Sequence, residues 1–232
     1  APPVLMVAST WGWSTAFMFA NFGLEATIAI FINATIATLI FHKQLIEPTS
    51  KSDHVRIPLT ITAIHLLFLL GIVGFAHDPV IFMWLLLFFI GYTTAYPKHQ
   101  NPLILREALL VGFFLGGLVV LGGLQGWWLQ PILETMSPTA VFYGSMALTA
   151  ITDNAALTYL GSLVQGTSPE FKLALVGGAV AGGGLTVIAN APNPAGLAIL
   201  RSYFPNAVVS AGLLFIAAIP PTIVAILALR LL

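Results

Sequence analysis

The sequence predicts an all-α, polytopic membrane protein: about six transmembrane helices, one re-entrant hairpin and one broken helix. Three observations predict it. First, 58% of residues are hydrophobic and only 7% charged, against roughly a quarter charged in soluble domains. So little polar surface cannot keep the chain dissolved, and the bilayer is its solvent. Second, six segments approach the length of about 20 apolar residues that a bilayer core requires. Third, two apolar stretches, one of them the fifth of those six segments, are interrupted in mid-run by polar residues or prolines.

The six segments run from Phe22 to Phe41, Ile57 to Ala76, Pro79 to Tyr96, Leu103 to Leu124, Lys172 to Ala189 with an extension to Tyr203, and Ala207 to Leu229. Turn formers separate them, as in Glu47-Pro48-Thr49-Ser50 and Lys98-His99-Gln100-Asn101-Pro102. The stretch 138–166 consists of two apolar arms joined at Thr152-Asp153-Asn154. Each arm is too short to cross, which predicts a hairpin that enters and leaves by one face.

With that hairpin not crossing, Lys43, Lys51, Arg56, Lys98, Arg106 and Arg201 fall on one face, and Lys172 and Arg230 on the other. Basic residues favour the cytoplasmic side. The first face is therefore expected inside, the C-terminus outside, and Trp127 and Trp128 at the outer interface. Net charge is zero and no basic patch exists, which argues against nucleic acid as a partner. Cysteine is absent, so disulfides and thiolate metal sites are excluded.

The chain resembles itself. Ala1-Pro2-Pro3-Val4-Leu5-Met6-Val7-Ala8 is similar to Ala191-Pro192-Asn193-Pro194-Ala195-Gly196-Leu197-Ala198, and aromatic residues and a long apolar segment follow each. The two copies fall near opposite faces, as inverted repeats require. Residues 1–21 are then the tail of a first repeat. Residues 22–232 are the second, with hairpin 138–166, broken helix 172–203 and last helix 207–230. The opening residues carry no basic n-region or cleavage site, so they are not a signal peptide. The expectation is that an N-terminal repeat of the same protein is missing from this chain.

Chemistry is expected at the two interruptions. An acid at mid-membrane costs about 2.5–3.5 kcal/mol even on lenient insertion scales. Asp153 at the hairpin tip must therefore find a partner, a proton or a cation. Unpaired carbonyls at the end of the first arm, with the hydroxyls of Thr149, Thr152 and Thr158, would make a set of hard oxygen donors suited to a small cation. The alternative is that Asp153 or Asn154 merely caps the second arm.

At the second interruption, Thr186 to Gly196, the prolines Pro192 and Pro194 deny the helix two amides. The helix is expected to unwind between Ala189 and Ala195, with Asn190 and Asn193 adding amide oxygens. Broken helices at the midplane point to transporter sites, and the alternative is a packing kink. Pro220-Pro221, with only Thr222 for polar company, reads as a kink. The glycines of 112–123 and 177–184 let helices approach closely.

Other polar residues read as less telling. His65 is expected to be neutral and bonded to a neighbour, with proton shuttling as the alternative. Glu25 is expected at the start of its helix, in an interfacial role. Glu107 and Glu134 are expected near the membrane surface. Asp153 is then the only acid placed deep.

Thr152-Asp153-Asn154-Ala155-Ala156-Leu157-Thr158 and Ile188-Ala189-Asn190-Ala191-Pro192-Asn193-Pro194-Ala195-Gly196 together resemble the sodium/proton antiporters of the ion-transporter superfamily. That superfamily also holds arsenite exporters and sodium-coupled dicarboxylate carriers. The resemblance implies two inverted repeats whose hairpins and broken helices meet at the substrate site. It further implies a prokaryotic inner membrane and a possible homodimer. Dicarboxylate carriers place Ser-Asn-Thr at the tip, and the carboxylate of Thr-Asp-Asn here favours a cation as cargo.

The expected function is secondary transport without a cofactor, Na+ and H+ being the transported ions. Asp153 alternates between them, and the ion-binding set is Asp153, Asn154, Thr152, Thr158, Asn190, Asn193 and Thr186. Pro192, Pro194 and Gly196 form the helix break. One rival is a sodium-coupled anion carrier using a helix N-terminus after Pro194. Another is a non-transporting membrane scaffold. An intramembrane aspartyl protease would need a second deep acid, and a zinc protease a paired-His motif.

Overall fold

The computed structural model describes residues 2–46, 57–75 and 78–231. Every regular element in them is helical. The polar loop at 47–50, Lys51, Arg56, Ala1 and the end of the second predicted span lie outside the described residues. The chain forms two compact units, residues 1–42 with 105–232, and residues 43–104.

In the first unit, α1 (Pro2–Trp11) leads to α2 (Thr15–Met18), a π-turn over Phe19–Gly23, and α3 (Leu24–Ile46), which runs on past the unit's edge. These last three form one apolar span, Thr15–Leu45, of 31 residues. The span starts seven residues before the expected Phe22, because Ser14 caps it with its Oγ accepting from the Phe17 amide at 3.1 Å. Glu25 is therefore not at a helix start.

The second unit holds α4 (Leu59–Gly74) and α5 (Pro79–Ala95), apolar helices of 16 and 17 residues. Asp78 caps α5 through the amides of Val80 and Ile81, and Pro79 needs no amide partner in the first turn. His65 of α4 binds Ile61 O through Nδ1 at 2.8 Å and Gln100 Oε1 through Nε2 at 3.1 Å.

The first unit resumes with α6 (Leu105–Gly122). It turns through 82° into α7 (Gly126–Leu133), which carries an exposed Trp127. Then come α8 (Pro138–Thr149), α9 (Asn154–Ser162), α10 (Pro169–Gly182), α11 (Asn193–Leu200) and α12 (Ala211–Leu231). Among the described residues, two helices are long and apolar enough to span a membrane, or three if α6 and α7 make one bent span. The remaining predicted spans are shorter apolar helices.

Ser137-Pro138 and Ser168-Pro169 start α8 and α10 by one device. Each serine Oγ accepts from an amide three residues on, at 3.2 Å, and each proline occupies the first turn. The core lies between these two helices and includes Val141, Phe142, Phe171, Leu175 and Ala181. Glycine makes that approach possible. A Cβ on Gly178 would strike Phe142 O and Ser145 Oγ, and one on Gly182 would meet Met146 O at 2.5 Å. Outward faces stay greasy: Phe31 is 73% exposed and Leu213 69%, which suits hydrocarbon and not water.

The predicted hairpin is two short helices, α8 of 12 residues and α9 of 9, joined by a turn at 150–153. The predicted broken helix is α10 and α11 around a non-helical stretch, 183–192. Its position corrects the sequence reading. Unwinding begins at Gly183, not Ala189, because Gly182-Gly183-Gly184 ends α10. The prolines do not break a helix. Pro192 is the N-cap of α11 and Pro194 lies in its first turn, where a missing amide costs nothing. Helix α12 continues through Pro220-Pro221, and Asn33 Nδ2 donates to Pro221 O at 3.2 Å. That contact from α3 is one the local sequence around the prolines does not show.

Candidate functional site

The turn at 150–153 and the non-helical stretch 183–192 are bonded to each other. The Asn154 amide donates to Ala189 O at 3.1 Å, and Thr186 Oγ1 donates to Ala150 O at 2.8 Å. Asn193 holds the stretch from its far end, Nδ2 donating to Gly183 O and Thr186 O, both at 2.9 Å. Gly183 is required because a Cβ there would lie 2.7 Å from Asn154 Nδ2. Two chain interruptions 30 residues or more apart are thus one polar unit.

Asp153 sits at its centre, 8% exposed. Its Oδ1 caps α9, accepting from the amides of Ala155 at 2.8 Å and Ala156 at 3.0 Å. These donors and the positive end of the helix dipole offset the cost of burying a charge. The capping alternative is therefore realised, but by one oxygen. Oδ2 makes no hydrogen bond among the described residues. Asp153 lines a cavity of about 470 Å³ with Thr152, Asn190, Ala191, Pro194 and Ile188. It also lines a larger, mostly apolar cavity of about 640 Å³ between α6, α7 and the paired helices α8 and α9.

The other expected residues separate into three places. Thr186, Pro192, Asn193 and Gly196 line a different cavity, of about 320 Å³. Thr152 is exposed and its hydroxyl donates to Leu148 O at 2.7 Å. Asn154 and Thr158 are buried behind the tip at 2% and 0% exposure. Thr158 Oγ1 faces Asn154 O, Ala155 O and, at 3.4 Å, Pro3 O of α1.

The carbonyls ending α8 are not the free donors that were expected. Ala147 O and Leu148 O accept from the amides of residues 150–152, and Ala150 O accepts from Thr186. The last turn tightens and uses them up. At the end of α8, on α9 and on the non-helical stretch, three side-chain oxygens are buried without a partner among the described residues: Thr149 Oγ1, Asn154 Oδ1 and Asn190 Oδ1. Buried polar atoms are usually paired, and of these three residues Asn190 lines the cavity of Asp153. Sequence reasoning missed Ala150, Gly183 and Ala189, which act through backbone atoms. Only the glycine triplet gave a signal, and it was read as packing.

Apolar outward faces and a polar junction between two chain interruptions are features of a helical membrane protein. Residues 1–232 match the model of the family described as "Putative Na+/H+ antiporter", and the chain belongs to that family. No curated protein and no solved structure matches it.

Proposed function

We propose that the protein exchanges sodium ions for protons at the carboxylate of Asp153. One observation carries the reading. Asp153 is a nearly buried acid with one oxygen held by two amides and the other unbonded, beside a cavity that it shares with Asn190. A carboxylate in that position binds either a proton or a cation, and competition between them couples the two fluxes. Oxygen donors suit a hard cation. Asn154, Asn190 and Thr149 supply unbonded oxygens near the tip, with Thr152, Thr158, Thr186 and Asn193 ordering the backbone around them. The helix pair α8 and α9, read as a re-entrant hairpin, and the interrupted α10 and α11 then move as a unit to expose the site alternately.

An anion carrier is the second reading, because α11 starts at Asn193 beside a cavity. The carboxylate of Asp153 argues against it, since it lines its cavity together with Pro194 of the same helix. A scaffold without transport predicts no flux at all.

The test is proton movement driven by a sodium gradient in proteoliposomes of the full-length protein. Sodium-dependent proton flux that disappears in Asp153→Asn is expected. Undiminished exchange by that variant removes the role given to Asp153, and dicarboxylate uptake without proton exchange would favour the anion carrier.

A further inference from the structure

The larger cavity beside Asp153, of about 640 Å³, has no task in sodium–proton exchange. It lies against the place where α6 turns through 82° into α7. Phe114 and Leu118 of α6, Trp128 and Ile132 of α7, and Leu157 and Leu160 of α9 line it. Its volume falls within the range of about 300–1,000 Å³ usual for small-molecule sites.

Polar groups on this wall are few and mostly engaged. Ser145 Oγ donates to Phe142 O at 3.0 Å, and Thr152 Oγ1 donates to Leu148 O at 2.7 Å. The indole N–H of Trp128 donates to Gln125 Oε1 at 2.6 Å, which leaves its ring as apolar surface. Asp153 is the one charged residue on the wall among the described residues. Its Oδ1 accepts from two amides and its Oδ2 from none.

These features select the occupant by chemistry. Sodium sheds its water only where oxygens replace it, and this wall is almost wholly hydrocarbon. The smaller cavity, with Asn190 beside Asp153, suits the metal ion better. An anion is repelled by the carboxylate. A neutral apolar molecule would fill the space and leave Oδ2 unpaired beside it, which carries a cost. A monocation with an apolar body and an N–H donor meets both demands, since hydrocarbon covers hydrocarbon and the charged donor pairs with the carboxylate.

We propose that this cavity binds protonated lipophilic amines, with the apolar body between Phe114, Trp128 and Leu157 and the ammonium N–H on Asp153. Such an amine and a sodium ion would compete for one carboxylate. That consequence rests on the exchange reading, whereas the binding itself does not.

The experiment uses the full-length protein in detergent, with a bromophenyl-butylammonium salt as the probe. Bromine quenches the fluorescence of a tryptophan that it touches. Saturable quenching is expected, and Trp128→Phe should remove it. The neutral bromophenyl-butanol has the same body and should bind about tenfold more weakly, because it lacks the charge-assisted hydrogen bond. Asp153→Asn keeps a capping side chain and should weaken the amine to the level of the alcohol. Equal affinity for amine and alcohol in the wild type would show apolar partitioning alone and overturn the proposal. So would an amine affinity unchanged by Asp153→Asn, or quenching that persists in Trp128→Phe. No ion gradient enters this measurement. Failure of the exchange reading is seen separately, as sodium-coupled proton flux undiminished in Asp153→Asn.

Discussion

The backbone amide of Asn154 donates to the carbonyl of Ala189 at 3.1 Å, tying the start of α9 to the non-helical stretch between α10 and α11. The bond joins two places where the helix ladder fails. An unpaired amide at a helix start and an unpaired carbonyl in an unwound segment each carry a cost in hydrocarbon. Pairing them removes both costs and holds Asp153 beside Asn190.

The cap and the proposed ion chemistry of Asp153 can be separated by substitution. Asparagine caps helices about as well as aspartate, whereas alanine costs about 1 kcal/mol. Asp153→Asn is therefore expected to keep wild-type thermal stability in detergent while losing exchange. Asp153→Ala should lose both. A drop in stability for Asp153→Asn equal to that of Asp153→Ala would mean that the carboxylate charge itself holds the turn together.

Glycine at the α8–α10 contact is expected to be essential for packing. Gly178→Ala and Gly182→Ala put a methyl group into backbone and side-chain atoms of α8, and overpacking of this kind costs about 1–3 kcal/mol. Gly184→Ala has nothing within 4 Å of the new carbon and serves as the control. Thermal midpoints of the three variants should fall for the first two and stay near wild type for the third.

Thr186→Val removes the 2.8 Å bond to Ala150 O while keeping the shape of the side chain. A stability loss of about 1 kcal/mol is expected. Sodium-driven exchange should also slow, because the turn and the unwound stretch no longer move together. An unchanged initial rate would show that the Asn154–Ala189 bond alone couples them.

Asn33→Leu tests the crossing of α3 and α12. The variant loses the donor to Pro221 O, and interhelical hydrogen bonds in membranes average about 0.6 kcal/mol. The expected change in thermal midpoint is smaller than for either α10 glycine. A larger effect would mean that Asn33 also supports the helix where its two prolines supply no amides.

Composition and hydropathy alone decided that the chain is helical and belongs in a membrane, because with 7% charged residues it needs lipid, and long unbroken apolar runs satisfy their backbone there as helices and not as the alternating strands of a barrel. The interruptions at Asp153 and within Thr186 to Gly196 were also legible, since an acid or a proline in an apolar run is a local event. Where α10 ends was not, because glycine was read for packing and the prolines for breaking. In fact Gly183 stops one helix and Pro194 helps to start the next. Tertiary structure alone decided which groups meet. It spent the carbonyls of α8 on their own turn, gave Ala150 O to Thr186, left Thr149, Asn154 and Asn190 with unbonded oxygens, and set Glu25 inside a helix and not at its end. The physical reason is that backbone atoms carry no residue identity. Which carbonyl finds which donor depends on how closely two helices pack, and sequence shows that only as a run of small residues.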